Sequence, residues 1–98
     1  MTVEKKQNGE EVTLLVSGRV DTTNANEFES EVTVKMEGAK SLILDFAELE
    51  YISSAGLRVV LSIIKRMKNQ GTLAINNANE MIKEIFEVTG FSDLVDIK

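Results

Sequence analysis

The chain has no histidine and no cysteine. Without cysteine there can be no disulfide, no thiolate metal site and no thiol nucleophile. Without histidine, no Ser-His-Asp or Cys-His relay can be assembled within it. Acid–base chemistry near neutrality would fall to carboxylates of strongly shifted pKa or to a desolvated lysine, so a self-contained enzyme is not expected. Proline and tryptophan are also absent. Uncharged apolar runs fall far short of the roughly 18 residues of a spanning helix. Met1-Thr2-Val3-Glu4-Lys5 lacks the basic-then-apolar order of a signal peptide. A cytoplasmic location with no membrane partner is the expectation. Positive charge is scarce too: eleven Lys and Arg stand against sixteen Asp and Glu, a net charge of -5. That balance argues against the broad basic surface of a nucleic-acid binder and against docking on anionic membranes.

What is present suits a single domain. The 98 residues are 43% hydrophobic and 28% charged, ordinary for a soluble globular chain able to bury one modest core. Asn8-Gly9 reads as a hairpin turn between a weak strand near Thr2–Lys5 and a strong one from Val12 to Val16, which Ser17-Gly18 would end. Asp21, Thr22, Thr23 and Asn24 offer helix caps. Ala25, Phe28, Val32 and Met36 then fall on one face of a helix over 25–36, closed by Gly38. Ser41–Phe46 reads as a buried strand, and Ala47–Ile52 as a connection. A long helix follows over 55–69, then a strand over 72–75. A third helix spans 80–88 with Met81, Ile82, Ile85 and Phe86 inward, and Leu94–Ile97 can close as a strand. Strands alternating with helices predict an α/β domain. Its sheet would be mixed, of about five strands with the first pair antiparallel, and three to four helices would pack mainly on one side.

Two serines stand where the connection after the central strand enters the long helix: Ser53-Ser54-Ala55-Gly56-Leu57-Arg58. One serine suffices as an N-cap, and no Glu or Gln follows either at the spacing of a capping box. Gly56 in the first turn costs ~1 kcal/mol against Ala, which is sensible where something approaches the backbone closely. Leu57, Val60, Leu61 and Ile64 form the expected core stripe. Val59, Ile63 and Met67 widen the apolar arc to about 200°, so Val59 and Ile63 are either covered by neighbouring helices or left to dock a partner. From Tyr51 to Asn79 there are four bases, Arg58, Lys65, Arg66 and Lys68, and no acid, so this segment carries +4 and the rest -9. Lys65, Arg66 and Lys68 suit the helix C-terminus, whereas Arg58 opposes the dipole one turn from the serines. Asp21 and Asp45 each follow a strand. Were those strands parallel neighbours, both carboxylates would share a sheet edge with the serines and could orient a hydroxyl or help hold Mg²⁺ brought by a nucleotide, although neither forms a metal signature. No bound cofactor is expected.

Gly18-Arg19-Val20-Asp21, Leu42-Ile43-Leu44-Asp45-Phe46, Tyr51-Ile52-Ser53-Ser54-Ala55-Gly56-Leu57, Asn76 and Thr89-Gly90-Phe91 together resemble the STAS domain family, in particular its bacterial anti-sigma factor antagonists. The resemblance covers essentially the whole chain. It implies a single STAS-like domain over residues 1–98, with helices on one side of a mixed sheet. It also implies a phosphorylation switch. The unmodified antagonist binds an anti-sigma factor that is also an ATP-dependent serine kinase, phosphorylation abolishes binding, and a metal-dependent serine phosphatase reverses it. The implied phosphoacceptor is Ser54, with Ser53 as the alternative. Where the family often has Asp-Ser-(Ser/Thr)-Gly-Leu, Ser53 replaces the acid and Ala55 the second hydroxyl. The expected partner surface comprises Asp21, Ser53, Ala55, Gly56, Arg58, Val59 and Ile63. The other readings are a non-phosphorylated scaffold subunit of a transport ATPase or larger signalling assembly and, more remotely, a small nucleotide-binding enzyme, for which the chain has no GxxxxGK[ST] loop.

Overall fold

A computed structural model describes all 98 residues. The chain runs β1 (Thr2–Asn8), β2 (Glu11–Val20), α1 (Ala25–Lys35), β3 (Ser41–Asp45), β4 (Leu49–Ile52), α2 (Ser54–Lys68), β5 (Thr72–Asn76), α3 (Glu80–Val88), a 3₁₀ turn (Phe91–Asp93) and β6 (Asp96–Ile97). The strand order is β1-β2-β3-β5-β6, with β4 on β2. β1 and β2 form the antiparallel hairpin, Asn8 opposite Glu11, and every other pairing is parallel. Since each crossover from β2 onward steps the same way across the sheet, right-handed connection places all the helices on one face. Alternation shows that face: Val12, Leu14 and Val16 of β2 and Leu42 and Leu44 of β3 are buried beneath the helices, while Thr13, Leu15, Ser17 and Ile43 on the other face are only half-buried.

The sequence reading misplaces three boundaries. β2 does not stop at Ser17-Gly18. It passes through an irregularity between Gly18 and Arg19 and continues to Val20. Gly18 takes a φ of 91° there, a conformation that glycine adopts without strain. The supposed connection 47–52 holds a strand, β4, that carries on alongside β2 where β3 ends, with Gly18 opposite Leu49 and Val20 opposite Ile52. At the C-terminus only Asp96 and Ile97 pair with β5, because Phe91–Asp93 coils into the 3₁₀ turn.

The helices sit where their apolar spacing directs. Ala25, Phe28 and Val32 are the buried face of α1, and full burial of Phe or Val is worth roughly 1.5–3 kcal/mol apiece. In α3, Ile82 and Phe86 are buried, but Met81 is 46% exposed and Ile85 only half-buried, so the inward stripe is narrower than expected. Phe86 stacks between Phe46 and Phe91, with ring centroids 6.4 and 5.7 Å away. The ends of α1 and α2 are tied by the Gln70 side-chain amide, which donates to the Met36 and Ala39 carbonyls at 2.9 and 2.7 Å.

Between α2 and β5 the backbone passes against Lys40 so closely that a Cβ on Gly71 would lie 1.9 Å from the Lys40 carbonyl oxygen. That oxygen is already held by the Thr72 amide at 2.9 Å. Gly71→Ala is therefore expected to force β5 away from its start and to destabilise the fold by about 3 kcal/mol. Urea unfolding measures this, and a loss below about 1 kcal/mol would contradict the tight crossing.

Candidate functional site at the head of α2

The site is built by the parallel pairing of β2 with β4. The Ser53 amide donates to the Val20 carbonyl at 2.8 Å, closing that ladder, and the chain turns at once into α2. Ser53 is extended (φ -88°, ψ 175°), and its hydroxyl accepts the Gly56 amide at 3.3 Å as the N-cap. Ser54 is the first helical residue and its side chain is exposed. The two serines thus have different tasks: the half-buried Ser53 caps, and Ser54 is free at the surface.

Gly56 is buried, and what approaches it is the protein's own sheet. A Cβ there would lie 2.7 Å from Ile52 Cγ1 and 2.8 Å from Val20 Cγ1. Its expected place on the partner surface is thereby corrected: the residue lets α2 settle onto β2 and β4. Val59 and Ile63 are corrected likewise. They are 6% and 1% exposed, part of the core with Val60, Ile64 and Met67, so the wide apolar arc is covered; Val59 reaches the surface only at an edge, beside Ala55 and Arg58. The stripe is rotated from the expected one, leaving Leu57 and Leu61 half-buried on its flank. Ala55 is half-buried and Arg58 exposed. Both line an open groove of about 340 Å³ between the heads of α1 and α2, with Thr22, Asn26 and Glu29 opposite.

Asp21 follows β2 as Ser53 follows β4, so the two come together at this edge. Its carboxylate accepts the Thr23 hydroxyl at 2.6 Å and the Thr23 amide at 2.9 Å, and these bonds, the hydroxyl's first, hold it below the ordinary 3.8. Asn24 fastens the same turn, accepting the Asp21 amide and donating to the Arg19 carbonyl, each at 2.9 Å. Arg19 lies over the Tyr51 ring 4.6 Å away, across a β2–β4 register pair. Asp45 is elsewhere. It pairs with Leu15, six residues before Asp21 along β2, about 20 Å at the usual strand rise. Its carboxylate accepts from the Ala47 amide at 3.0 Å and the Asn77 side chain at 3.1 Å. The shared acidic cluster does not form, and no group of three acidic side chains gathers to hold a metal ion.

Two side chains that the sequence offers only as possible caps make bonds it does not foretell. Thr23 is legible in hindsight from Asp21-Thr22-Thr23, since an aspartate readily bonds backbone and hydroxyl two residues on. Asn79, the N-cap of α3, accepts the Ile82 amide at 2.9 Å while its amide group reaches the Leu49 carbonyl at 3.3 Å. Because β4 is not legible as a strand, nothing local signals that second bond.

The STAS domain profile matches residues 2–98, and the chain belongs to that family. It is 36% identical over 84 residues to BtrV of Bordetella bronchiseptica, a candidate anti-sigma factor antagonist, covering 84% of this chain and 72% of that one. It is 28% identical to the anti-sigma-B factor antagonist of Bacillus subtilis over 99% of this chain and 90% of the relative. Among solved structures, the candidate antagonist TM1081 of Thermotoga maritima matches with a TM-score of 0.89 at 23% identity, covering 97% of this chain and 84% of that one. The Bacillus protein SpoIIAA in its phosphorylated form matches with a TM-score of 0.76 at 15% identity, covering 99% and 91%. No helix is long and apolar enough to cross a membrane.

Two outcomes follow for the site. Since the ionised Asp21 carboxylate is the bonded form, the turn gains from it above the ordinary carboxylate pKa and loses that gain as pH falls through the lowered value. An NMR titration should place the Asp21 midpoint below 3.8, and Thr23→Ala should return it toward that value; an unmoved midpoint would refute the assignment. Gly56→Ala sets a helix-propensity gain of ~1 kcal/mol against about 1–3 kcal/mol of overpacking. A net destabilisation of about 1 kcal/mol is expected by thermal or urea unfolding, and a stabilised variant would show that the seat has slack.

Proposed function

We propose that this chain is an anti-sigma factor antagonist whose binding is switched by phosphorylation of Ser54. It works as a docking partner and carries out no chemistry itself. The observation that carries the reading is the exposed Ser54 hydroxyl on the first turn of α2, beside a serine already used as the cap. The names of the relatives at 36% and 28% identity favour the same role, and the phosphorylated SpoIIAA shows that a protein of this fold bears a phosphate. The partners are an anti-sigma factor with ATP-dependent serine kinase activity and a metal-dependent serine phosphatase. Asp21, Ala55 and Arg58 border Ser54 on the surface the anti-sigma factor would cover, whereas Ser53 supports that surface by capping.

The energetics need no change of fold. A phosphate adds about -1.5 to -2 charges. Within the chain it meets the unbonded first amides and positive end of α2, where an anion is stabilised by about 0.3–1 kcal/mol. At an interface packed against a neutral hydroxyl, the same group brings bulk, desolvation and repulsion. A hundredfold loss of affinity requires only ~2.7 kcal/mol, within the range of one misplaced charge.

Incubation with the cognate anti-sigma factor and ATP should add one phosphate, about 80 Da by intact mass, to the wild type and to Ser53→Ala but not to Ser54→Ala. Ser54→Ala should bind the anti-sigma factor whether or not ATP is present, and Ser54→Asp about a hundredfold more weakly. An unshifted mass for the wild type, or a shift that survives Ser54→Ala, overturns the reading.

A further inference from the structure

The outer surface of α2 carries more than the serine. At 100° per residue, Ser54 and Lys65 lie within 20° of each other around the helix. Arg58, Leu61, Ser62 and Asn69 fall in the same row, opposite the buried Val60, Ile63, Ile64 and Met67. Arg66 lies beside it. Arg58, Leu61, Ser62, Lys65, Arg66 and Asn69 form one continuous open surface along α2. Arg58, Lys65, Arg66 and Asn69 are exposed, and Leu61 is a half-buried apolar contact in the middle.

These cations are unpartnered in a chain that has acids to spare. The only ion pairs are Lys35 with Glu31 and Lys98 with Asp96. Sixteen acids against eleven bases would readily supply carboxylates to α2, yet none lies within 4 Å of Arg58, Lys65, Arg66 or Lys68. Glu29 borders the groove at Arg58 and Glu37 the one at Arg66, in both cases without forming a pair. The result is a positive stripe from Arg58 to Lys68, about 15 Å long at 1.5 Å per residue, on a protein of net charge -5. The positive end of the helix dipole lies at its head.

We infer that the outward face of α2 from Ser54 to Asn69 is the docking surface for the anti-sigma factor, and that the surface it receives is acidic. This rests on the reading of Ser54 given above and extends it from one hydroxyl to a whole helix face. Complementary charge steers encounter and fixes register. It also explains why one phosphate suffices. The phosphate would sit at the head of the stripe, four residues from Arg58, and face an acidic partner while drawing the Arg58 guanidinium toward itself.

Binding of the full chain to the anti-sigma factor of its own bacterium, measured by calorimetry at 50 and 500 mM salt, tests the assignment. Two double variants are compared: Lys65→Gln with Arg66→Gln, and Lys65→Glu with Arg66→Glu. Both positions are exposed, and the neutral pair guards against any loss of helix stability from reversed charge near the C-terminus. At 50 mM salt the neutral pair should bind about fivefold more weakly and the reversed pair about a hundredfold, with the differences shrinking at 500 mM as screening sets in. Binding of both pairs within twofold of wild type, while Ser54→Asp still weakens it, overturns the surface and leaves the Ser54 reading standing. Failure of the wild type itself to bind overturns both. Binding of phosphatidylglycerol vesicles or duplex DNA that the reversed pair abolishes, with anti-sigma factor binding unchanged, assigns the stripe to another ligand and also overturns it.

Discussion

The geometry of the site depends on how closely α2 can settle onto the β2–β4 pair. Val20 and Ile52 press against Gly56 at distances that leave no room for a Cβ, and the Ser53 amide completes the ladder on the Val20 carbonyl. These two contacts set the depth of the helix start and the direction in which it leaves the sheet. Ser53 is consequently held in an extended conformation that makes it a cap, and Ser54 is turned outward by the next helical step. The buried stripe from Val59 to Met67 then locks the rotation of α2, so its polar row has one orientation with respect to Asp21 and the head of α1. A helix start resting on larger side chains would stand higher and present a different surface.

Dividing capping and exposure between adjacent serines has an energetic logic. Removing a capping hydroxyl costs about 1 kcal/mol of stability, so a cap that was also the modified group would couple phosphorylation to fraying of the helix. With Ser53 bonded to Gly56, a phosphate on Ser54 changes surface charge without removing that bond. On the proposed reading, the penalty of a phosphate would fall on the interface rather than on the fold.

The layout of the sheet was largely legible from the alternation of apolar strands with periodic helices, and the entrance to α2 from its double serine. What was not legible depends on partners distant in sequence. β4 is four residues long and has no periodicity to speak of; it is a strand because β2 runs on past the end of β3 to pair with it. Gly18 looked like a terminator because glycine commonly ends a strand, and here it bends one. Val59 and Ile63 could not be assigned to core or surface from a wheel alone, since coverage depends on how α1 and the sheet pack around α2. Asp45 shares an edge with Asp21 only if parallel strands end together; β2 and β3 are parallel neighbours, but β2 extends well beyond β3 and carries Asp21 away with it.

The missing residues bear on the proposed switch as much as on catalysis. Histidine is the one side chain whose ordinary pKa lies between pH 5 and 8, and cysteine is the main redox-sensitive one. A surface without either lacks the side chains most used to sense pH and thiol potential. A hydroxyl is neutral, and its charge changes only by covalent modification. On the reading proposed above, a phosphate on Ser54 would bring a second ionisation near pH 6. A switch at Ser54, as proposed, would report covalent modification through a group that the unmodified surface does not carry.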